Sequence, residues 1–367
     1  MLRHWELYIQ EVMSGRRNGA APTLIRGMLT PMSWIFRFVV MSRNWMFDQG
    51  WLCCYHPPVR AVISIGNIVA GGTGKTPVTL LFAKAFYDDY SIAILSRGYR
   101  SPAESLAEPL ILSEGNGPRY PAVYSGDEPF MLSRRLPNAT VIVGRSRRRS
   151  ARLAASAGAD IILIDDGMQH RRIARDFDVV VLDAADPFGK GYFLPRGFLR
   201  EGMKALSRVH LVIVNHVESD AQFQAVKDLV KPYTSAPVIG TQWNASAVLD
   251  MRNQKIDSIQ GKKVGMFCGI AHPEAFRITL QQLGANIVAE EIFPDHAIPN
   301  AERLAVFAEK CSEQRAEWIV CTEKDRVKLD DAVAFRLPII WVQMELQVVK
   351  GVDAWNAFLG AVKKKIR

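Results

Sequence analysis

The stretch Ser64–Val78, "SIGNIVAGGTGKTPV", limits what this chain can fold into more than any other. The apolar run "AVISIG" leads into it, and "KTPVTLLFAKAFYDD", with helical spacing, leads out. Pro77 falls in the first helical turn, where a missing N–H costs little. A glycine-rich turn between a buried strand and a helix makes a cradle for phosphate. Gly71, Gly72 and Gly74, with Thr73 between them, let backbone N–H groups turn inward where a Cβ would crowd an anion. The helix that begins near Lys75 adds its positive end. Lys75 brings a point charge for the β and γ oxygens of a nucleoside triphosphate, and Thr76 a hydroxyl for Mg²⁺. The usual pattern has a glycine five places before the Gly-Lys pair. That place is Val69 here, and the nearest upstream glycine is Gly66.

Beyond the cradle the pattern keeps alternating. "SIAILSR", "ATVIVG", "ADIILIDD", "FDVVVLD" and "HLVIVN" read as further strands, with helical stretches such as "SRRRSARLAASAG" between some of them. Near-continuous apolar strands suit a parallel sheet covered on both faces. A second run of the same kind follows Pro237: "KKVGMFCG", "PEAFRITLQQLG", "ANIVAEEIF", "NAERLAVFAEKCSEQ", "EWIVCTE" and "LPIIWVQ". The chain has 367 residues, more than one hydrophobic core usually serves. The expected architecture is α/β: a doubly wound phosphate-loop sheet over residues 59–230 and a smaller α/β/α unit over 231–367. The division falls within Ser219–Pro237. The basic tail "KKKIR" reads as a solvated helix end.

Residues 1–58 differ in character and read as helical and membrane-associated. Across the first sixty residues, Arg3, Arg16, Arg17, Arg26, Arg37, Arg43 and Arg60 stand against Glu6, Glu11 and Asp48, a net charge of +4. "LTPMSWIFRFVVMSRNWMF" sets Trp34, Phe36, Phe38, Trp45 and Phe47 among arginines. The uninterrupted apolar run Phe38–Met41 is far short of the ~20 residues a bilayer span needs. Aromatic rings beside guanidinium groups suit a helix lying in an anionic membrane surface. A core helix with an arginine-bearing outer face has the same pattern. The whole chain carries a net charge of +9, which favours anionic partners. No aromatic-interleaved single-strand platform or base-reading motif accompanies that charge, so nucleic acid is not expected. The five cysteines show no C-x-x-C spacing, which favours a reducing, cytoplasmic setting without structural zinc or disulfides.

"ILIDDGMQH" places Asp165 and Asp166 at the end of an apolar strand. Paired carboxylates there are costly unless they face a cleft or a cation, and phosphate-loop enzymes hold Mg²⁺ with an acid at this place. Strand alternation points the two side chains apart, so one of them meets the metal directly. In "YSGDEPFML", Asp127 and Glu128 precede Pro129 and a helical stretch. An N-cap aspartate explains that spacing as well as a catalytic one does. "FPDHAIP" sets Asp295 and His296 at a strand-to-loop junction, and pattern does not rank His170, His272 and His296 against one another.

Taken together, "GNIVAGGTGKTP", "LSRGY", "GDEP", "DDGMQH", "GYFLPRGFLRE", "FCGIAHPEAF", "FPDH" and "TEKDRVKL", in that order, resemble the tetraacyldisaccharide 4′-kinase family over nearly the whole chain. In that family the loop opens with Gly-Asn, which accounts for the missing glycine. The resemblance implies transfer of the ATP γ-phosphoryl group to the 4′-hydroxyl of an acylated glucosamine disaccharide 1-phosphate. It implies a cytoplasmic active site at the inner membrane of a Gram-negative-type cell; the enzyme is expected to be monomeric and, from its N-terminal aromatics and arginines, peripherally held. By resemblance, Lys75 and Thr76 serve the phosphates, and Asp165 and Asp166 the metal. Asp127 is the catalytic aspartate with His296 as its partner, and Glu201 is a further acid of the metal site. Arg97, Tyr99, Arg145 and Arg200 fall in segments lining the substrate or phosphate site. Met168, Arg196, Phe198, Gly202 and His272 depart from the family's usual residues. The competing reading is a membrane-associated, dimerising ATPase switch of the partition class. That class opens the loop with Lys-Gly-Gly, where this chain has Ala70 before Gly71.

Overall fold

The computed structural model describes residues 8–9, 11–270, 273–294, 301–329 and 336–367. The first run of strands forms where the apolar pattern places it: β1 (Ala61–Gly66), β2 (Ile92–Ser96), β4 (Thr140–Val143), β5 (Ile161–Asp165), β6 (Phe177–Asp183) and β7 (Leu211–Asn215). They pair in parallel in the order β7-β6-β1-β5-β2-β4, and β3 (Leu110–Glu114) closes that edge antiparallel to β4. Every residue of β1, β2, β5 and β7 is buried, as a sheet covered on both faces requires.

Alternate residues of β1 feed different cores. Ile63 and Ile65 join helix α2 (Lys75–Phe86) and the C-terminal helix α8 (Val352–Ile366) through Val78, Phe82, Phe86, Trp355, Phe358 and Val362. Phe82 meets Trp355 and Phe358 edge to face, with ring centroids 4.9 and 5.9 Å apart. Val62, on the other face, packs with Leu95, Ile164 and Ala151 and Ala154 of helix α4 (Arg147–Ser156). Farther along the sheet, Val180, Val212 and Val214 pack with Val226 and Val230 of α5 (Asp220–Val230).

The second run is not a separate sheet. Strand β8 (Val238–Asp250) starts parallel to β7 and continues as a long antiparallel ribbon with β13 (Ile339–Lys350), whose own first residues pair parallel with β12 (Trp318–Thr322). Strands β10 (Lys263–Cys268) and β11 (Asn286–Ile292) follow, and the short β9 (Lys255–Ile256) pairs with β8. Among the described residues this makes one thirteen-stranded sheet ending β12-β10-β11. Helices α6 (Pro273–Gln282) and α7 (Ala301–Glu313) cover that end through two cores. One is built on Phe276, Leu280, Met266 and Val320, the other on Leu304, Phe307, Phe267 and Ile319. Helix α8, drawn from the segment read as the smaller unit, packs on the first half.

The N-terminal region forms a 29-residue helix, α1 (Ala20–Asp48), long and apolar enough to cross a bilayer by length and composition. The run Phe38–Met41 understated it, because Ser33, Arg37 and Arg43 interrupt the apolar sequence but share one helix face. That face lies on the protein. Ser33 Oγ donates to the Phe193 carbonyl at 2.8 Å, Phe36 and Val40 join the core around Phe188 and Leu199, and the Arg37 guanidinium lies over the Phe193 ring. The opposite face exposes Leu24, Met28, Met32, Trp34, Ile35, Phe38, Val39 and Trp45, with Phe38 at 72% and Trp34 at 65%.

Candidate functional site

The loop from Gly66 to Gly74 leaves β1 at its carboxyl end and enters α2 with no side-chain cap. Gly74 has a left-handed backbone (φ 80) and stands against Asn215, so a Cβ there would collide with the Asn215 amide nitrogen. That amide donates to the Thr73 carbonyl at 3.1 Å and ties the loop to the end of β7. At Gly71 and Gly72 a Cβ would meet nothing within 4 Å, so the space beside the loop there is open. Asn67, fully buried, stands where the loop turns; its amide donates to Thr73 Oγ1 at 3.0 Å, and its carbonyl accepts from Gln169 at 2.8 Å. The segment Phe198–Glu201 runs alongside: Ala70 N–H donates to the Phe198 carbonyl at 2.6 Å, and Arg200 N–H to the Ile68 carbonyl at 2.7 Å. Backbone bonds hold this segment. Met168 is also buried, packed where a Cβ on Gly66 would fall.

The two aspartates divide as alternation requires. Asp165, last residue of β5, is buried and accepts from Thr76 Oγ1 at 3.3 Å and Thr79 Oγ1 at 3.2 Å. Burial, then the negative charge of Glu128, push its pKa up to about 7, with Asp166 adding and Lys75 and Arg147 opposing. Asp166 leaves the strand with φ 54 and turns to cations. Arg200 grips it with two hydrogen bonds, 2.7 and 3.1 Å, and Lys75 Nζ lies 3.7 Å away. Although burial opposes it, the Arg200 hydrogen bonds and the nearby Lys75 hold the Asp166 carboxyl well below the usual carboxylate range. Arg200 also bonds the Asn67 side-chain oxygen.

Asp127 opens helix α3 (Asp127–Arg135), but the cap position is Gly126, which makes no side-chain cap. The capping explanation of Asp127 therefore fails. Gly126 packs on Gly98 of "LSRGY", at 3.3 Å from an added Cβ to the Gly98 Cα, which joins the loops after β2 and before α3. Asp295, His296 and His272 lie outside the described residues.

The remaining expected residues divide. Arg97 pairs with Glu104 at 2.6 Å, Tyr99 is exposed beneath the Arg100 guanidinium, and Arg145 is exposed. Two residues along, Arg147 is buried; it donates to the Gly144 carbonyl at 2.6 Å and to the Asp165 carbonyl at 3.3 Å. Burial lowers its pKa to about 10, with Asp165 and Asp166 opposing, so it stays cationic beside them. A run of four arginines within five residues hid which one turns inward. His170 is half-buried; desolvation, then the nearby Arg147 charge, push it down to about 4, so it is neutral near pH 7.

Glu201 is engaged with helix α1. Fully buried, it accepts from Arg208 at 2.8 Å and Asn44 at 3.1 Å, with Arg43 at 3.8 Å. Arg200 and Glu201, adjacent in an extended segment, point apart. Arg200 faces the cradle and Glu201 anchors α1. Besides Arg147, the sequence reading passed over Thr79 and Asn215, and it met Asn67 in the Gly-Asn opening and Glu128 beside Asp127 without giving either a role. Only Glu128, beside Asp127, carried a chemical signal.

An open glycine cradle between a buried strand and a helix, with a threonine hydroxyl facing a strand-end aspartate, defines a phosphate-loop α/β protein that binds nucleoside triphosphates. Its fold is shared with a solved structure. The ATP-bound "apo" form of LpxK from Aquifex aeolicus superposes with a TM-score of 0.74 at 24% identity, covering 94% of this chain and all of that one. The family model for LpxK, tetraacyldisaccharide-1-P 4′-kinase, matches residues 25–363. Tetraacyldisaccharide 4′-kinases from Anaeromyxobacter dehalogenans (strain 2CP-1) and Chlamydia abortus are 39% and 35% identical to it. The alignments span 89% and 91% of this chain, and 87% and 89% of theirs. The chain belongs to the tetraacyldisaccharide-1-P 4′-kinase family. That membership speaks for the kinase and not for the partition-type ATPase.

Proposed function

We propose that this protein transfers the γ-phosphoryl group of ATP to the 4′-hydroxyl of an acylated glucosamine disaccharide 1-phosphate, as a monomer held peripherally at the cytoplasmic face of the inner membrane. The observation that carries the reading is Thr76 facing Asp165 at the mouth of an open phosphate cradle, in a chain matched to the family over residues 25–363.

The donor set fits Mg²⁺. Thr76 Oγ1 and the Asp165 carboxyl lie together, and burial disfavours the Asp165 charge, which a cation bound there would stabilise. Among the described residues no group of three or more His, Cys, Asp or Glu forms a metal cluster. Mg²⁺ in such sites takes one or two carboxylates and completes its shell with phosphate and water. When bound, it would draw negative charge off the transferring group. Lys75 and the N-terminus of α2 act on the same oxygens. Asp166, held by Arg200, keeps that arginine beside the cradle. Asp127 accepts the proton of the attacking sugar hydroxyl, a role worth about 10²–10⁴ in rate, and His296 orients it.

Helix α1 lies in the membrane surface. Its docked face, Ser33 to Phe47, is committed to the protein, and its exposed aromatic face is free for lipid. The acylated acceptor then reaches the site without leaving the bilayer. Residues 59–230 form the kinase unit and 231–367 the smaller unit, joined where β8 pairs with β7 and where helix α8 packs back on the first half. Measuring ATP consumption with and without the disaccharide lipid tests the reading: turnover requires the lipid and yields one 4′-phosphate per ATP. Turnover indifferent to the lipid would refute it.

A further inference from the structure

The carboxyl ends of β6 and β7 carry a hydrogen-bonded chain that the mechanism above does not use. His216 Nδ1 lies 2.9 Å from Asp183 Oδ2, and Trp243 Nε1 lies 3.3 Å from His216 Nε2. An indole N–H only donates. His216 Nε2 therefore accepts, and Nδ1 carries the proton and donates to Asp183. Asp183 is fixed in turn, its Oδ1 accepting from Ala185 N–H at 2.9 Å. Both ring nitrogens of His216 are spent inside the protein, yet its side chain is 39% exposed. What it offers outward is a flat, immobilised ring face. Its backbone is left-handed (φ 60), a conformation uncommon outside glycine, asparagine, aspartate and histidine and found at ligand clamps.

The position of this ring relative to the cradle gives it a purpose. Asn215, the preceding residue, holds the Thr73 carbonyl and forms the wall against Gly74. Thr76 and Asp165 lie on the β5 side of β1, while β6 and β7 lie on the other. A nucleotide whose terminal phosphate meets Thr76 and Asp165 carries its base away from β5, along the carboxyl ends of β6 and β7. Ligands of open α/β sheets occupy that edge. The geometry points to His216, braced by Asp183 and Trp243, as the stacking platform for the purine ring of the nucleoside triphosphate. This inference rests on the ATP-dependent reading above and adds what selects the base.

The test is His216→Gly in the full chain. Glycine takes φ 60 without strain, so the backbone stays and only the ring is lost. Loss of one base–aromatic stack corresponds to about a 5- to 150-fold weaker interaction. The KM for ATP should rise by that factor with kcat at saturating ATP unchanged. The preference for ATP over CTP should narrow, and inhibition by inorganic tripolyphosphate, which has no base, should be unaffected. Trp243→Phe, which frees His216 Nε2, should raise the KM in the same direction by less. An ATP KM within twofold in His216→Gly, while Lys75→Ala abolishes turnover, overturns the platform and leaves the kinase intact. Equal losses for ATP and tripolyphosphate also overturn it, by placing the damage in the cradle. A parent protein that transfers phosphate from no nucleoside triphosphate to the disaccharide lipid removes the kinase reading and the platform together.

Discussion

Asp165→Asn should separate stability from activity. The Asp165 carboxyl is buried among the Thr76 and Thr79 hydroxyls, and burial and Glu128 raise its pKa from 3.8 to about 7. Without metal, the folded chain binds this proton more tightly than the unfolded chain does. The folded state is therefore favoured at low pH and loses stability as pH rises from about 4 to about 7, with no further change above. Each tenfold difference in proton affinity is worth about 1.4 kcal/mol, so ionising this buried group costs on the order of 4 kcal/mol. Asparagine keeps an oxygen for the two hydroxyls and carries no charge. In EDTA at pH 8, the variant should resist urea better than the parent by about 2–4 kcal/mol, read by tryptophan fluorescence. At pH 5 the gap should shrink by about half or more, because the parent is then largely protonated. Mg²⁺ should stabilise the parent and not the variant, and turnover in the variant should be lost. A variant no more stable than its parent at pH 8, or a gap unchanged between the two pH values, would refute the burial argument.

Lys75→Ala and Thr76→Ala should nearly abolish turnover while leaving the unfolding midpoint close to the parent's, since both act on phosphate and metal; near-normal kcat in Lys75→Ala would sink the kinase assignment. Asp127→Ala should lower kcat by about 10²–10⁴ and cost no more than about 1 kcal/mol of stability through the helix dipole, because Gly126 holds the cap position. The double variant Asp127→Ala/His296→Ala should be little slower than the worse single one if the pair acts as a unit, and losses that multiply would reject that pairing. Trp34→Asp and Phe38→Asp, both on the exposed face of α1, should weaken binding to anionic vesicles in sedimentation assays without altering the fold. Parent binding should also fall with salt, whereas extraction from membranes only by detergent would indicate a spanning helix instead.

The phosphate cradle, the parallel strands of the first half and the acids closing β5 were legible in the sequence because each is a local pattern, whereas the edge strand β3 was not read. An apolar run that ends at glycines and resumes with helical spacing specifies strand, turn and helix from neighbouring residues alone. Alternation was enough to say that Asp165 and Asp166 diverge. It was silent on which one meets Thr76, because Thr76 and Asp165 are 89 positions apart and only the register of β1 against β5 brings them together. Arg147 and Arg145 look alike in "GRSRRRS"; the helical turn that begins at Ser146 buries one and leaves the other in solvent. Glu201 carries an acid's signal in the chain, but its direction was settled by α1, whose Asn44 and Arg43 come from 157 and 158 positions upstream. The joining of two apparent units into one sheet has the same cause. A ribbon such as β8–β13 is specified by pairing between distant segments, and the free energy of that pairing depends on partners that no window of sequence contains.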